Sequence, residues 1–409
     1  MKTNEKETKQ KVVPALRFPE FQNAGEWEQT TIGALCTICN GKSNVQDNVQ
    51  NGKYPLFDRS EVIKTSNKFL FDCEAIIIPG EGRFTPKYYI GKFDLHQRAY
   101  ALKDFTCHAL FVYHYITAFS FILTQKAVKS TVLSLRMSIL EAFPMLLPNI
   151  QEQQRIAECL SSVDDLITAQ TDRLEALKNH KKGLIQQLFP AEGKTVPALR
   201  FPEFQNAGEW IKNPLFQIGE VLQGYGFPEK YQGKLSGKYP FYKVSDISKA
   251  VQTGSNFISV AANYIDDEEL NILKIKTIPP GTTIFARIGE AIRLNRRIVT
   301  TQECIVDNNI VGVKAIPENA IDLFVYYILL QIDFIDFAGG VVPAVTKSAI
   351  ENIPIYYPPT KSEQQKIVAC LSSVDDLITA QMDRLEALKN HKKGLMQQLF
   401  PNVNDLTHE

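Results

Sequence analysis

The sequence predicts an α+β protein: two mixed α/β domains separated by two long helices that form a coiled coil, with internal pseudo-two-fold symmetry. Two repeats carry this prediction. The segment VPALRFPEFQNAGEW occupies residues 13–27 and again residues 196–210. A 39-residue segment at 152–190 returns at 363–401 with five differences, and the stretches between the repeats match only faintly. Because two copies cannot build a solenoid, the chain is a duplicated unit.

The longer repeat predicts a helix with a coiled-coil seam, because its apolar residues recur in alternating steps of four and three. Prolines lie just before each copy and a Phe-Pro pair ends it, as expected at helix boundaries. Each helix spans roughly 50–55 Å at 1.5 Å per residue. A single stripe of this kind usually marks a domain core, but two near-identical copies favour pairing with each other. The predicted pairing residues are Leu160, Val163, Ile167, Gln170, Leu174, Leu177, Leu371, Val374, Ile378, Gln381, Leu385 and Leu388.

The polar residues of the two helices also bear on assembly. Gln170 and Gln381 interrupt the apolar seam, and a polar seam residue fixes register at some cost in stability. Charged residues cover the outer faces, where charges ordinarily serve solvation. Because these faces are nearly the same on both helices, they also suit two copies of one partner.

The segments between the repeats alternate short apolar runs with turns, which indicates mixed α/β domains. Strands are predicted at residues 54–57, 75–78, 111–113, 239–242, 282–286 and 298–301. Residues 119–125 are predicted as a helix or a strand beneath them, and residues 323–335 as a helix. The expected divisions are a disordered tail at 1–12, a first domain at 13–150, a first helix at 151–190, a linker box and second domain at 191–360, a second helix at 361–401, and a tail at 402–409.

Composition excludes several classes of protein. The apolar fraction of 44% and the charged fraction of 22% are ordinary for a globular chain. No segment approaches the roughly 20 apolar residues of a membrane span, and the polar start does not resemble a signal peptide. Seven scattered cysteines favour reduced thiols, so we expect a cytoplasmic protein with no membrane contact. Net charge is zero, so any binding to nucleic acid must come from segregated charge.

Catalytic and metal-binding motifs are weak. Residues 41–43 resemble the end of a phosphate-binding loop, but Cys36 stands where its first glycine belongs. Cys36 and Cys39 form a single CxxC with no second pair at zinc spacing. Three histidines near Cys107 fit neither a helical zinc motif nor a zinc finger: His96, His108 and His114. The Asn-Pro-Pro-aromatic motif of adenine methyltransferases is missing, so we expect no catalytic residue, no metal and no cofactor.

Basic residues gather near glycines and prolines in both domains. Four arginines fall within residues 287–297, and the corresponding region of the first domain begins at residues 79–83. Lysine and arginine near glycines can contact phosphates, and arginine can read guanine in the major groove. Any one of them alone is better explained as a solvated surface charge, but their occurrence in both halves favours DNA contact. The candidate DNA-binding residues are Arg59, Arg83, Lys87, Arg98, Arg136, Lys243, Arg287, Arg293, Arg296, Arg297 and Lys347.

Two motifs frame each long helix. Pro-x-x-x-Glu-Gln-Gln-x-Ile leads into the helix at residues 148–156 and 359–367, and Gln-Gln-Leu-Phe-Pro ends it. With residues 242–247 and 286–289 of the second domain, these motifs make the chain resemble the specificity subunits of type I restriction-modification enzymes. The first domain matches more weakly, notably at residues 57–62. The resemblance covers essentially the whole chain after residue 12.

The resemblance implies two target-recognition domains, each reading one half of an interrupted DNA sequence, held apart by antiparallel helices. Two modification (methyltransferase) subunits would dock on the helices and supply adenine methylation from S-adenosylmethionine, and restriction (motor-nuclease) subunits would join for ATP-dependent cleavage. Dyad-related half-sites require antiparallel helices, and half-sites one turn apart require domains roughly 34–36 Å or more apart. Helix length would then act as a ruler. The 15-residue repeat, which precedes the first domain and also follows the first helix, suggests that the two chain ends lie close together.

Two other classes of function remain as alternatives. A coiled-coil adaptor with two protein-binding domains predicts no salt-dependent affinity for DNA, whereas a DNA reader loses affinity steeply with salt. A self-sufficient nuclease or methyltransferase is disfavoured by the missing motifs. Methyl transfer by the purified chain alone would support that alternative.

Overall fold

A computed structural model describes residues 12–129 and 131–401. Its first half contains β1 (Glu28–Thr31), α1 (Ile32–Leu35), β2 (Thr37–Asn40), β3 (Tyr54–Phe57), β4 (Lys64–Ser66), β5 (Phe71–Pro79), β6 (Lys87–Leu95), β7 (Ala99–Lys103), α2 (Ala109–Ala118), α3 (Ser120–Lys126), α4 (Met137–Glu141), β8 (Pro144–Leu147) and α5 (Ile150–Leu188). The predicted tails are residues 1–12 and 402–409, and apart from Val12 they lie outside the described residues.

The second half follows the same plan with additional elements. It contains β9 (Ile211–Pro214), β10 (Gly219–Gln223), β11 (Tyr239–Tyr242), α6 (Val244–Gln252), β12 (Phe257–Ile258), β13 (Tyr264–Ile265), α7 (Asp267–Leu273), β14 (Thr283–Ala286), β15 (Arg297–Thr300), β16 (Ile305–Val306), β17 (Ile310–Ala315), α8 (Asp322–Leu329), α9 (Lys347–Glu351), β18 (Pro354–Tyr357) and α10 (Lys361–Leu399). Among the described residues, none of the helices combines the length and apolar character that a membrane span needs.

The chain forms two compact units, and both long helices are divided between them. Unit 1 runs up to Ala169 and resumes from Leu385, whereas unit 2 is the continuous stretch Gln170–Arg384. Each unit therefore holds one domain, the first half of the helix that follows it, and the second half of the other helix. The two units therefore repeat one plan, as the sequence repeats predict, and this confirms the predicted fold class.

In unit 1 the domain is built on a six-stranded sheet in the order β2-β7-β5-β6-β3-β4. The pairs are antiparallel except β3 with β6. Helix α2 packs against this sheet through buried Phe111 and Tyr115, which also contact the ring of Phe400 from the end of α10. The end of the last helix thus closes the core of the first domain.

In unit 2 the corresponding strands divide between two sheets. One has the order β10-β17-β14-β15-β12 and the other the order β13-β11-β16. Helix α8 takes the place of α2, and its Phe324 stacks on Phe189 from the end of α5, with ring centroids 5.6 Å apart. As in unit 1, the end of a long helix therefore completes the core of the domain.

The short repeat joins each helix start to a helix end. Leu16 N donates to Gln398 O at 2.9 Å in unit 1, and Leu199 N donates to Gln187 O at 2.8 Å in unit 2. The first copy of the short repeat therefore lies at the end of α10, which places described residues from both ends of the chain together. A two-stranded antiparallel sheet follows each box, β1 with β8 and β9 with β18.

The Glu-Gln-Gln motif has a structural role in both units. Arg200 of the second box forms two hydrogen bonds of 2.8 Å with the Glu363 carboxylate, and Arg17 forms the equivalent pair with Glu152. The next residue, Gln153, donates to Pro148 O at 2.7 Å and accepts from the His108 amide at 3.0 Å. These bonds fix the start of each helix against its own domain.

The two helix segments within each unit are joined by polar contacts as well as apolar ones. In unit 2, Lys181 pairs with Asp375 while Gln381 donates to Gln170, so the residue numbers increase along α5 as they decrease along α10. The segments are therefore antiparallel. In unit 1 Lys392 forms the equivalent pair with Asp164 at 2.6 Å.

The domain residue beside each of these ion pairs differs between the units. Tyr327 donates to Asp375 at 2.7 Å. His114 occupies the equivalent position in unit 1, with Nε2 3.1 Å from Ser161 Oγ and Nδ1 3.9 Å from an Asp164 oxygen. Burial, with Lys392 nearby, lowers the pKa of His114 to about 3, so the folded protein keeps this imidazole neutral.

Most sequence-predicted elements of the domains are present, with one error of type. Strands occur at residues 54–57, 75–78, 239–242, 283–286 and 297–300, and helices within 119–125 and 323–335. Residues 111–113, predicted as a strand, lie in helix α2 instead. This helix is rich in aromatic and β-branched residues because most of its surface is buried, and a short apolar run does not distinguish a buried helix from a strand.

Candidate nucleic-acid interface

Four loops of unit 1 meet beside its six-stranded sheet. They follow β3, follow β5, connect β6 to β7, and precede α4. Backbone hydrogen bonds hold them together: His96 N to Phe57 O at 2.9 Å, Gly80 N to Arg98 O at 2.8 Å, and Leu135 N to Gly80 O at 2.8 Å. We call this group the unit 1 loop cluster. It lies at strand ends, where side chains can project without disturbing the sheet.

The basic residues predicted in the first domain lie in or beside this cluster. Arg98 and Arg59 both approach the carboxylate of Glu81, at 2.7 Å and 3.5 Å. Arg83 lies 3.4 Å from Glu61, and the Lys87 ammonium donates to Ser60 O at 2.6 Å. Most of these cations are exposed, so a phosphate could compete with the carboxylates that hold them.

Two further properties suit the unit 1 loop cluster to a polyanion. Arg136 is exposed at the start of α4. An open cleft of about 590 Å³ lies in the cluster. It is lined by Asn44, Val45, Gln46, Asp58, Arg59, Lys64, Glu81, His96, Gln97 and Arg98.

Sequence reasoning missed the amides of this cleft. Asn44, Gln46 and Gln97 line it beside the arginines, and an amide side chain can form two hydrogen bonds with adenine. No local pattern marks them, because residues 44–46 reach the cleft through the bonding of residues 41–43 to residues 95–99.

The equivalent loops of unit 2 are held by the same backbone bonds. Asp307 N donates to Tyr242 O at 3.0 Å, Arg287 N to Asn309 O at 2.8 Å, and Val345 N to Arg287 O at 2.9 Å. We call this group the unit 2 loop cluster. Burial raises the pKa of Asp307, the residue that corresponds to His96. The two domains therefore present matching loops with different side chains.

The basic residues of unit 2 differ in how firmly they are held. Lys243 donates to Gln232 Oε1 at 2.6 Å, and Arg287 Nε donates to Asn308 O at 3.0 Å. Arg293 is exposed and forms only a local pair with Glu290 at 3.1 Å. Arg296 is half-buried, and Lys347 pairs with Glu351 at 3.5 Å. Arg287 lies within the loop cluster, and Arg293 and Arg296 follow it along the chain.

Arg297 corrects one of the predicted DNA contacts. Its side chain is buried, with 4% of the residue exposed. Its guanidinium donates to Asn295 O at 2.6 Å and to Ile332 O, and lies over the ring of Phe334. Burial lowers its pKa to about 10. Arg297 therefore ties two loops of the domain together and does not present its charge to a ligand.

The predicted pairing residues lie on one side of each long helix. Those buried are Leu160, Val163, Leu174, Leu371, Val374, Ile378, Gln381 and Leu385, and those half-buried are Ile167, Gln170, Leu177 and Leu388. Gln381 donates to both the side-chain oxygen of Gln170 and its backbone oxygen, the latter at 3.1 Å. The polar seam residues therefore meet each other within unit 2.

The motifs that sequence analysis judged weak have structural explanations. Ser43 donates to the buried Asp94 carboxylate at 2.7 Å, and a Cβ at Gly41 would lie 2.2 Å from Leu95 O, so residues 41–43 pack on β6. Burial raises the pKa of the Cys36 thiol to about 12. Within residues 12–129 and 131–401, no group of three or more His, Cys, Asp or Glu side chains could hold a metal ion.

Comparison with known proteins assigns this arrangement to a family. The profile of the type I restriction modification DNA specificity domain matches residues 24–179 and again residues 208–390. Because the two matches cover well over half of the chain, the chain belongs to the type I restriction-modification DNA specificity family.

Curated relatives and solved structures give a more particular likeness. The type I restriction enzyme EcoDI specificity subunit of Escherichia coli is 25% identical over 92% of this chain and 88% of its own length. The putative MjaX specificity subunit of Methanocaldococcus jannaschii is 24% identical over 80% of this chain and 69% of its own. The S subunit of a type I system from M. genitalium has a TM-score of 0.62 at 16% identity, covering 95% of this chain and 99% of that one. At that identity the structural likeness supports the fold alone.

Proposed function

We propose that this type I restriction-modification specificity subunit reads a two-part DNA sequence, with one half-site bound by each loop cluster. The observation that carries the proposal is the repetition of one loop arrangement in both units with different side chains. Equivalent backbones give two readers of the same geometry, and different side chains give them different half-sites. A duplex bound by both would carry an asymmetric, interrupted target.

The long helices are proposed as the docking sites of two modification subunits. Their outer faces are nearly identical in sequence, which suits two copies of one partner. Restriction subunits would join the same assembly in the cytoplasm, where the host DNA lies. In this proposal the chain itself is not catalytic: it supplies sequence recognition, and the partners supply S-adenosylmethionine, methyl transfer and cleavage.

Genome-wide mapping of adenine methylation tests the proposal. A host that expresses the chain with its modification subunit should acquire methylation at one bipartite motif. The variant Arg59→Glu/Arg98→Glu removes both cations beside Glu81 and should abolish or relax the half-site read by unit 1. The control is Lys126→Glu, which changes an exposed charge in the last turn of α3 and should leave the motif unchanged.

Two results would reject the proposal. The first is methylation at a continuous motif or at no motif in cells where the complex assembles. The second is salt-insensitive binding of DNA by the purified complex. A reader that neutralises several phosphates loses orders of magnitude in affinity between low and moderate salt.

A further inference from the structure

An apolar loop projects from unit 2 beside its basic residues. Residues 339–344 form a hairpin closed by reciprocal hydrogen bonds, from Gly339 N to Ala344 O at 3.0 Å and from Ala344 N to Gly339 O at 3.1 Å. Gly340 turns the chain with a φ of 90°, a conformation that glycine adopts without strain. The turn leaves Val341 fully exposed and Val342 62% exposed. We call residues 339–344 the tip loop.

The tip loop is attached to the segment that carries the arginines. Gly289 N donates to Pro343 O at 2.8 Å, and Val345 N donates to Arg287 O at 2.9 Å. Because these bonds lie on both sides of Ala344, the loop is held at its base while its two valines point away from the domain. Arg293 and Arg296 follow the same segment four and seven residues after Gly289. The tip loop therefore adjoins the backbone of Arg287 and Gly289, from which the chain continues to the exposed Arg293 and the half-buried Arg296.

Two exposed valines contribute little to folding, since burial of such a side chain in the core would stabilise the protein more. Single exposed apolar residues are common, whereas here two adjacent valines project together from the tip of a closed hairpin. The ligand that offers phosphates at its edges and apolar surface between them is duplex DNA. Proteins contact thymine methyl groups through small apolar side chains in the major groove.

We infer that Val341 and Val342 enter the DNA groove and contact thymine methyl groups in the half-site bound by unit 2. This inference rests on the proposed function. It adds an apolar contact through which unit 2 would discriminate between base pairs. The arginines of residues 287–296 bind the backbone phosphates, and the valines contact the methyl groups of the bases. The half-site of unit 2 therefore contains at least one A·T pair under the tip loop.

The equivalent hairpin of unit 1 is more polar. Val128 and Ser134 exchange hydrogen bonds of 2.9 and 3.1 Å, and Ser134 pairs with Glu81 as Ala344 pairs with Ile288. Exposed Lys129 and Thr131 lie between them, and Val132 is 42% exposed, less than either valine of the tip loop. The structure thus assigns the apolar contact to one half-site, and the unit 1 hairpin offers a matched control.

The test uses the assembled complex of this chain with its modification subunits, and the bipartite duplex identified by methylation mapping. Affinity is measured for the natural duplex and for duplexes in which each thymine of the unit 2 half-site is replaced by deoxyuridine. Val341→Ser/Val342→Ser is compared with wild type and with the control Val132→Ser. Complex stoichiometry and melting temperature are measured for each, and both should be unchanged because the substituted side chains are exposed.

We expect the double variant to bind its site at least about tenfold more weakly, with an unchanged dependence on salt. Removal of the critical methyl group should weaken wild type about fourfold and leave the double variant unaffected. The control Val132→Ser should respond to deoxyuridine as wild type does.

Three results would overturn the inference. They are equal affinity of the double variant and wild type, an unchanged response of the variant to deoxyuridine, or a unit 2 half-site without any A·T pair. A variant that instead fails to assemble with the modification subunits would place the valines in a protein interface, which also contradicts the inference. Failure of the proposed function is distinct, because then the wild-type complex itself would show no bipartite site.

Discussion

Arg200 and Glu363 form a buried ion pair whose disruption would leave one charge without its partner. Their side chains are 6% and 1% exposed, and both nitrogen–oxygen distances are 2.8 Å. Trp210 Nε1 donates to the same carboxylate at 3.2 Å. In an Arg200→Ala variant, the buried Glu363 carboxylate would lose both hydrogen bonds from Arg200 and the opposite charge. The variant therefore tests how strongly the short repeat anchors the start of α10.

We expect Arg200→Ala to lower the free energy of unfolding by about 3–5 kcal/mol, the typical cost of removing one partner of a buried pair. In a folding unit of roughly 200 residues, each kcal/mol lowers Tm by about 2–4 °C. The expected decrease in Tm is therefore roughly 6–20 °C. The double variant Arg200→Met/Glu363→Met removes both charges and should recover most of this loss, because apolar replacement of a buried pair is often neutral.

Differential scanning calorimetry of the complete chain measures these changes. The control is Lys366→Ala, which breaks an exposed pair of 3.2 Å with Glu203 near the start of the same helix and should cost less than about 1 kcal/mol. The argument from buried charge is wrong if Arg200→Ala costs no more than this control. It is equally wrong if the double methionine variant is as unstable as Arg200→Ala.

Four further predictions concern the helices and the domains. Replacing both Gln170 and Gln381 by leucine should raise Tm, because a polar seam residue lowers stability. The same change should permit other registers of the two helices, which would be detected as a loss of methylation. A lower Tm would contradict the expected stability cost of the polar seam. Because burial keeps His114 neutral in the folded state while the unfolded chain gains a proton below about pH 6.5, stability should fall by about 2 kcal/mol from pH 6.5 to 5. The variant His114→Gln should show a flatter pH profile in urea denaturation, and an unchanged profile would refute the assignment. Gly254→Ala should cost roughly 1–3 kcal/mol because φ is 76° there and its Cβ would meet Met382, so an unaltered melting curve would count against it. Insertion of one heptad into both helices should change the gap between the half-sites of the methylated motif or abolish activity. An unchanged gap would show that helix length does not set this spacing.

The long helices could be predicted from sequence because their determinants are local. The heptad steps and the Phe-Pro ends predict where α5 and α10 run, and the two near-identical copies predict that they pair. The contacts that the helix ends make with the domains could not be predicted in this way. The contact of Phe400 with the rings of α2 joins residues almost 300 positions apart, and it follows from the exchange of helix halves rather than from any local pattern.

The candidate interface could be predicted by residue type but not by geometry. Arg98 reaches the unit 1 loop cluster because Gly80 bonds its backbone, which depends on the pairing of β5 with β7. Arg297 shows the opposite case. It lies in a run of four arginines, but its hydrogen bond to Ile332 depends on a loop 35 residues away, so its burial could not be recognised from composition.

The exchange of helix halves has a consequence for synthesis on the ribosome. Unit 2 is one continuous stretch of chain, so its residues are all present before translation ends. The first domain, although made earlier, lacks Phe400 and the Leu16–Gln398 hydrogen bond until the last helix emerges. At about 5–20 residues per second, roughly 15–60 s separate Phe111 from Phe400. The N-terminal domain is therefore expected to be the last to reach its native state, and its exposed aromatic core during that interval is where chaperones should bind nascent chains.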